Sequence, residues 1–110
     1  EPWRSERGHF SRFLKGKIPE YPEEMISATG YVVNTLEAAV WCLTTTRNYR
    51  DCVLRAVNLG DDTDTVAAVA GGLAGVAHGV ESIPAEWLDA LARKDELLEY
   101  AQRLARLVAA

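Results

Sequence analysis

The chain has 110 residues, 48% apolar and 25% charged, which is the balance of a single folded domain rather than a disordered segment. Lys and Arg total 12 against 16 for Asp and Glu, and the resulting net charge of −4 argues against a general nucleic-acid binder. Two cysteines, Cys42 and Cys52, are too few for a disulfide framework and lack CxxC spacing. They read as small buried hydrophobes suited to a reducing cytoplasm, with one bridge left open.

Residues 1–28 read as an irregular or loosely helical lead-in. Gly8, Gly16, Pro19 and Pro22 punctuate it, with Trp3, Phe10 and Phe13 as apolar anchors. It also holds a short basic run (Arg4, Arg7, Arg12, Lys15, Lys17), expected to be a solvated surface. The opening Glu-Pro-Trp-Arg-Ser has no apolar run of the signal-peptide kind, and it lacks an initiating Met, so a piece of a longer protein is expected.

Residues 29–110 read as a helical core. Val33, Leu36, Val40 and Leu43 recur at helical steps and predict one face of a first long helix, with Glu37 on the other side as a solvated charge. The run Thr44-Thr45-Thr46 ends it. Asn48 predicts the N-cap of a second helix, with Asp51 in its first turn; Tyr49, Cys52, Val53, Ala56 and Val57 form its apolar face and Gly60 its C′ stop.

A third helix follows Asp61-Asp62-Thr63-Asp64 and runs to about His78, where the imidazole suits a helix C-terminus. Gly71, Gly75 and Gly79 make a flat stripe for a close neighbour. The apolar run from Val66 to Ala77 is too short to span a bilayer, so no membrane role is expected. Pro84 opens a short helix through Trp87, Leu88 and Leu91. A last helix over about Asp95 to Val108 lines up Leu97, Leu98, Ala101, Leu104, Ala105 and Val108. No strand-period segment is present, and the fold class expected is all-α, a compact orthogonal helical bundle.

The chemistry concentrates in Asn58-Leu59-Gly60-Asp61-Asp62-Thr63-Asp64-Thr65-Val66. Three carboxylates this close repel one another unless a cation is present, and hard ions such as Mg²⁺ or Mn²⁺ take oxygen ligands. Asp62 and Asp64, two apart in a non-helical turn, can converge on one ion, with the Thr65 hydroxyl as a neutral ligand. Helix capping is the plain alternative, yet a cap needs one such residue, not five in a row. An EF-hand fails, because its fifth and twelfth positions from Asp62 would be Val66 and Leu73; a P-loop fails for want of Gly-Lys-Ser/Thr. Asp62-Thr63-Asp64-Thr65-Val66 also resembles the D-x-D-x-T motif of haloacid-dehalogenase-type phosphatases, with Val66 at the place of its final Thr; there the motif follows a buried strand.

With its flanks, the segment resembles the ADP-ribosylglycohydrolase family. Ala56-Val57-Asn58-Leu59-Gly60-Asp61-Asp62-Thr63-Asp64-Thr65 is similar to that family's A-V-N-L-G-G-D-x-D-T. Thr29-Gly30-Tyr31-Val32-Val33-Asn34-Thr35-Leu36-Glu37-Ala38-Ala39 is similar to its T-G-Y-V-V-D-T-L-E-A-A, and Ile83-Pro84-Ala85-Glu86-Trp87-Leu88 to its I-P-x-x-W. Asp61 stands where a second glycine is usual, and Asn34 where Asp is usual.

The resemblance implies the C-terminal part of a mainly helical hydrolase that cleaves the glycosidic bond between ADP-ribose and a modified protein side chain at a two-ion Mg²⁺ or Mn²⁺ site. It implies Asp62, Asp64 and Thr65 as metal ligands and Gly30 and Tyr31 beside the substrate cleft. The remaining ligands, a Thr-Asp-Asp cluster and a further acidic residue, belong to an N-terminal half that these residues do not contain. The partners expected are therefore an ADP-ribosylated protein or ADP-ribose, the rest of the same protein, and possible self-association of the isolated piece, which alone is expected to be inactive. A non-catalytic relative that keeps the metal or nucleotide site is the alternative.

Overall fold

The computed structural model describes residues 2–109, with side chains from Arg4; the Trp3 side chain lies outside the described residues. The lead-in is a 3₁₀ stretch over Pro2–Phe10, helix α1 (Ser11–Leu14) and two single 3₁₀ turns at Ile18–Glu20 and Glu23–Met25. Five helices follow: α2 (Val32–Thr44), α3 (Tyr49–Val57), α4 (Thr63–His78), α5 (Ala85–Ala90) and α6 (Lys94–Ala109). The all-α expectation holds, with no strand among the described residues.

Local chemistry accounts for the helix ends. The three threonines at the end of α2 turn their hydroxyls back onto the Val40, Trp41 and Cys42 carbonyls, adding side-chain hydrogen bonds to the last turn, where the Trp41 carbonyl also accepts from the Thr45 N–H. Asn48 caps α3, its Oδ1 accepting from the Asp51 N–H at 2.8 Å. The C-cap of α3 is Asn58, and Gly60 lies two residues further on at φ 84°, so the glycine serves the following turn rather than the C′ position. Pro84 is the N-cap of α5 rather than its first residue.

The core is where α2, α3 and α4 meet. Ala38, Ala39, Cys42, Cys52, Ala56, Val66, Ala70 and Ala74 are all fully buried, and most are small, so the helix axes can approach closely. The packed surface of α2 therefore extends beyond the one its large residues suggest, although Val40 and Leu43 do pack, half-buried, against the core. Of Val33, Leu36, Val40 and Leu43 only Val33 is buried, while Ala38, Ala39 and Cys42 are. Likewise Val57 of α3 is exposed. Of the glycine stripe, Gly71 and Gly75 of α4 lie against the Tyr49 ring, whereas Gly79 has left the helix at φ 88°.

Glu37 is not a solvated charge: it is 7% exposed. Helical periodicity does not register the lead-in, which folds back across this side of α2. Arg12 places its Nε 3.6 Å from the Glu37 carboxylate, donates from Nη2 to the Met25 carbonyl at 2.8 Å and lies 4.5 Å over the Tyr21 ring. Trp41 Nε1 donates to the Tyr21 carbonyl at 2.8 Å. Glu37→Ala is expected to lower stability by about 1 kcal/mol in denaturant titration, because it removes the Arg12 counter-charge, itself partly solvated, and opens a gap beneath the lead-in.

Both cysteines are free and buried. Burial pushes the Cys42 thiol from 9.0 up to about 12, the nearby Cys52 adding to the effect, and burial also raises Cys52. At alkaline pH the unfolded thiol ionises first while the folded one keeps its proton. Stability therefore falls as pH climbs from about 9 towards 12 and is indifferent to these groups below that window. At pH 8 the native protein should react with a thiol reagent only as fast as it unfolds, giving two equivalents in denaturant; rapid native labelling would contradict this placement.

No helix is long and apolar enough to cross a membrane among the described residues. Apolar side chains nevertheless remain uncovered. No residue of α6 is buried, with Leu107 76% exposed, and Val76 on α4 is 90% exposed. The radius of gyration, 15.7 Å, exceeds the roughly 13 Å typical of a compact chain of this length, in keeping with α6 standing off the core.

Candidate metal centre

The acidic residues stand where the α3–α4 connection turns into α4. Gly60 and Asp61 take successive left-handed conformations, at φ 84° and 62°. That geometry explains why glycine suits the second position. Asp is among the few other residues that visit it at modest cost. Asp62 is then the N-cap of α4, and Thr63 and Asp64 already belong to its first turn. The two carboxylates thus sit at the cap and in the first turn, and not both in a non-helical turn as their spacing suggests.

Asp62 occupies the capping position, yet its side chain makes no capping hydrogen bond. Its Oδ1 instead accepts from the Thr65 hydroxyl at 2.9 Å. The Asp64 Oδ1 accepts from the Thr65 N–H, also at 2.9 Å. Asp64 is held below the usual carboxylate range, first by a side-chain hydrogen bond with Asp62 and then by that N–H. Carboxylates two residues apart repel one another, and a cation would remove that repulsion. Asp62 is half-buried, while Asp64 and Thr65 are exposed, so the cluster opens outward.

A second element braces this turn from behind. The Asp62 N–H donates to the Ala28 carbonyl at 3.0 Å. Thr29 anchors the entry to α2: its hydroxyl oxygen accepts from Asn34 Nδ2 at 2.8 Å and from the Tyr31 N–H at 3.3 Å, and its carbonyl accepts from the Thr35 hydroxyl at 3.1 Å. Gly30 lies so close that a Cβ there would stand 2.6 Å from Asp62 Oδ2. Tyr31 is the N-cap of α2 and 51% exposed.

Asp62, Asp64 and Thr65 are therefore brought together, and Gly30 adjoins them. The roles of Thr29, Asn34 and Thr35 escape a reading by helical periodicity. A signal was available in Asn34, a poor helix former in the first turn of α2, which marks a side chain bonded to local backbone or side-chain groups. His78 ends α4 and Trp87 is half-buried beneath the Arg50 guanidinium, 5.4 Å from its ring centroid; neither reaches the acidic turn's hydrogen bonds.

The donor set is all hard oxygen, which fits Mg²⁺ or Mn²⁺. It is also partial: among the described residues no three His, Cys, Asp or Glu side chains gather as a metal cluster. The phosphatase alternative fails on the fold, since D-x-D-x-T there follows a strand, whereas here the acidic turn opens α4 after α3, with no strand among the described residues.

An all-helical chain with a D-x-D-T turn opening a small-residue helix defines the class, and the comparison with known sequences agrees. The chain belongs to the ADP-ribosylglycohydrolase family, which matches residues 3–110. It is 43% identical over 89 residues to the ADP-ribosylarginine hydrolase Tri1 of Serratia proteamaculans, covering 81% of this chain and 24% of that protein. To the ADP-ribosyl-[dinitrogen reductase] glycohydrolase of Rhodospirillum rubrum it is 38% identical over 69 residues, covering 63% of this chain and 24% of that one. To the ADP-ribosylhydrolase ARH3 of Bos taurus it is 29% identical, covering 93% and 33% respectively. The chain spans about a quarter of the length of the first two relatives.

Proposed function

We propose that this chain contributes one half of a dinuclear Mg²⁺ or Mn²⁺ site in a cytoplasmic hydrolase that releases ADP-ribose from a modified protein side chain. The observation that supports it most is the Asp62 carboxylate, which stands at a helix N-cap, makes no capping bond and instead accepts from the Thr65 hydroxyl. In this reading Asp62, Asp64 and Thr65 would hold the ions. Bound there, divalent ions would orient ribose hydroxyls and a water and offset the charge that develops as the bond to C1″ breaks.

The chain's own contribution is positional. The Thr65 N–H and hydroxyl orient the two carboxylates, and the brace from residues 28–35 holds the turn that carries them. Three side chains cannot complete two coordination spheres, so the remaining ligands come from the rest of the protein. The uncovered apolar faces of α4 and α6 suit the same view: the rest of the protein packs there, and the isolated chain self-associates through them in its absence. The Tri1 relatives are named ADP-ribosylarginine hydrolases, which supports an arginine-linked substrate as the first to test.

The test is release of ADP-ribose from an arginine-modified protein by the full-length protein, with Mn²⁺ added and after chelation. Metal-dependent release is the expected result. Mn²⁺ binding without release from any linkage would make the protein a non-catalytic relative, and absence of Mn²⁺ binding would overturn the metal reading.

A further inference from the structure

We propose that Gly30 is a positioning residue for Asp62: its missing side chain leaves the space in which Oδ2 of the Asp62 carboxylate sits, and the Thr29–Asn34–Thr35 hydrogen bonds hold it there. The inference rests on the metal reading above and concerns what sets the ligand's place, not which residues are ligands. Gly30 belongs to a different element from the acidic turn, and no positive φ requires glycine at this position. Space is the requirement: a Cβ would stand 2.6 Å from Asp62 Oδ2 and 3.7 Å from its Cγ, with no other heavy atom within 4 Å.

The consequence is selective. A contact of 2.6 Å with the end of a side chain is relieved by rotating that side chain, so the backbone has no need to move and the fold survives. The Asp62 main chain is tied to Ala28 by its N–H, and its Oδ1 is tied to Thr65, so the carboxylate turns away from its present direction at the expense of the Thr65 bond. A ligand oxygen displaced by several tenths of an ångström leaves the narrow range of Mg²⁺ and Mn²⁺ distances. Thr29 holds Gly30 against the acidic turn by accepting two hydrogen bonds on its hydroxyl and one on its carbonyl.

The experiment measures Mn²⁺ affinity by calorimetry, and melting temperature in EDTA, for full-length wild type, Gly30→Ala, Thr29→Val and Thr29→Ser. Gly30→Ala is expected to bind Mn²⁺ about tenfold or more weakly while its melting temperature in EDTA stays within a few degrees of wild type. Thr29→Val, which cannot accept from Asn34, should weaken binding in the same way, and Thr29→Ser should restore it. Wild type that binds Mn²⁺ with Gly30→Ala binding as tightly overturns the positioning role and leaves the metal reading standing. Wild type that binds no Mn²⁺ overturns the metal reading itself. Should Gly30→Ala fail to fold, the spatial argument for a local adjustment is wrong, and the split between Thr29→Val and Thr29→Ser decides whether the brace acts on the metal.

Discussion

Asp62→Asn is expected to reduce Mn²⁺ affinity and ADP-ribose release in the full-length protein by roughly a hundredfold or more, a larger loss than second-layer changes at metal sites produce. The amide keeps the size of the carboxylate and can still accept from the Thr65 hydroxyl, so the local shape persists while a negative ligand is lost. The metal-free protein should respond in the opposite sense. Asp62 and Asp64 stand two residues apart at the start of α4, and neutralising one removes the like-charge repulsion between them when no cation is bound. Melting temperature in EDTA is therefore expected to hold or rise while metal binding collapses. If Asp62 acted only as a helix cap, the variant would bind metal like wild type. Parallel loss of stability and metal binding would instead indicate a general structural role.

Ala70→Leu carries the largest expected effect on stability, about 3 kcal/mol or more. Ala70 is fully buried on α4, and its carbonyl lies 3.9 Å from the Cys52 thiol of α3. Leucine there would force apart helices whose contact consists mainly of alanine and cysteine. Denaturant titration should show the loss in the midpoint. Val76→Leu, on the same helix but 90% exposed, should change stability by less than about 0.5 kcal/mol when this chain is studied alone. In the full-length protein a larger effect at Val76 would show that this face is covered there.

The helices themselves were legible because capping and periodicity act within a few residues. Asn48 before Asp51, the threonine run after α2 and Pro84 before α5 mark ends whose hydrogen bonds are local. The acidic turn was equally plain, since three carboxylates in four positions are chemically conspicuous in any fold. How far the buried surface of α2 extends was not legible. Large residues such as Leu36 and Val40 dominate a hydrophobicity pattern, while the core selects alanine and cysteine where helices cross closely. Glu37 was misread for a related reason: the group that covers it, Arg12, is 25 residues away along the chain.

Composition, caps and the D-x-D-T turn thus determined an all-helical chain with a local oxygen-rich site, because those signals depend on neighbours in sequence. Only the tertiary structure decided that Asp62 leaves its capping position unused, and that Gly30, more than thirty residues upstream, supplies the space for its carboxylate. Both facts depend on the contact of the α2 entry with the α4 entry. That contact is set by how three helices pack, and packing is a property of the folded chain that no short window of residues contains.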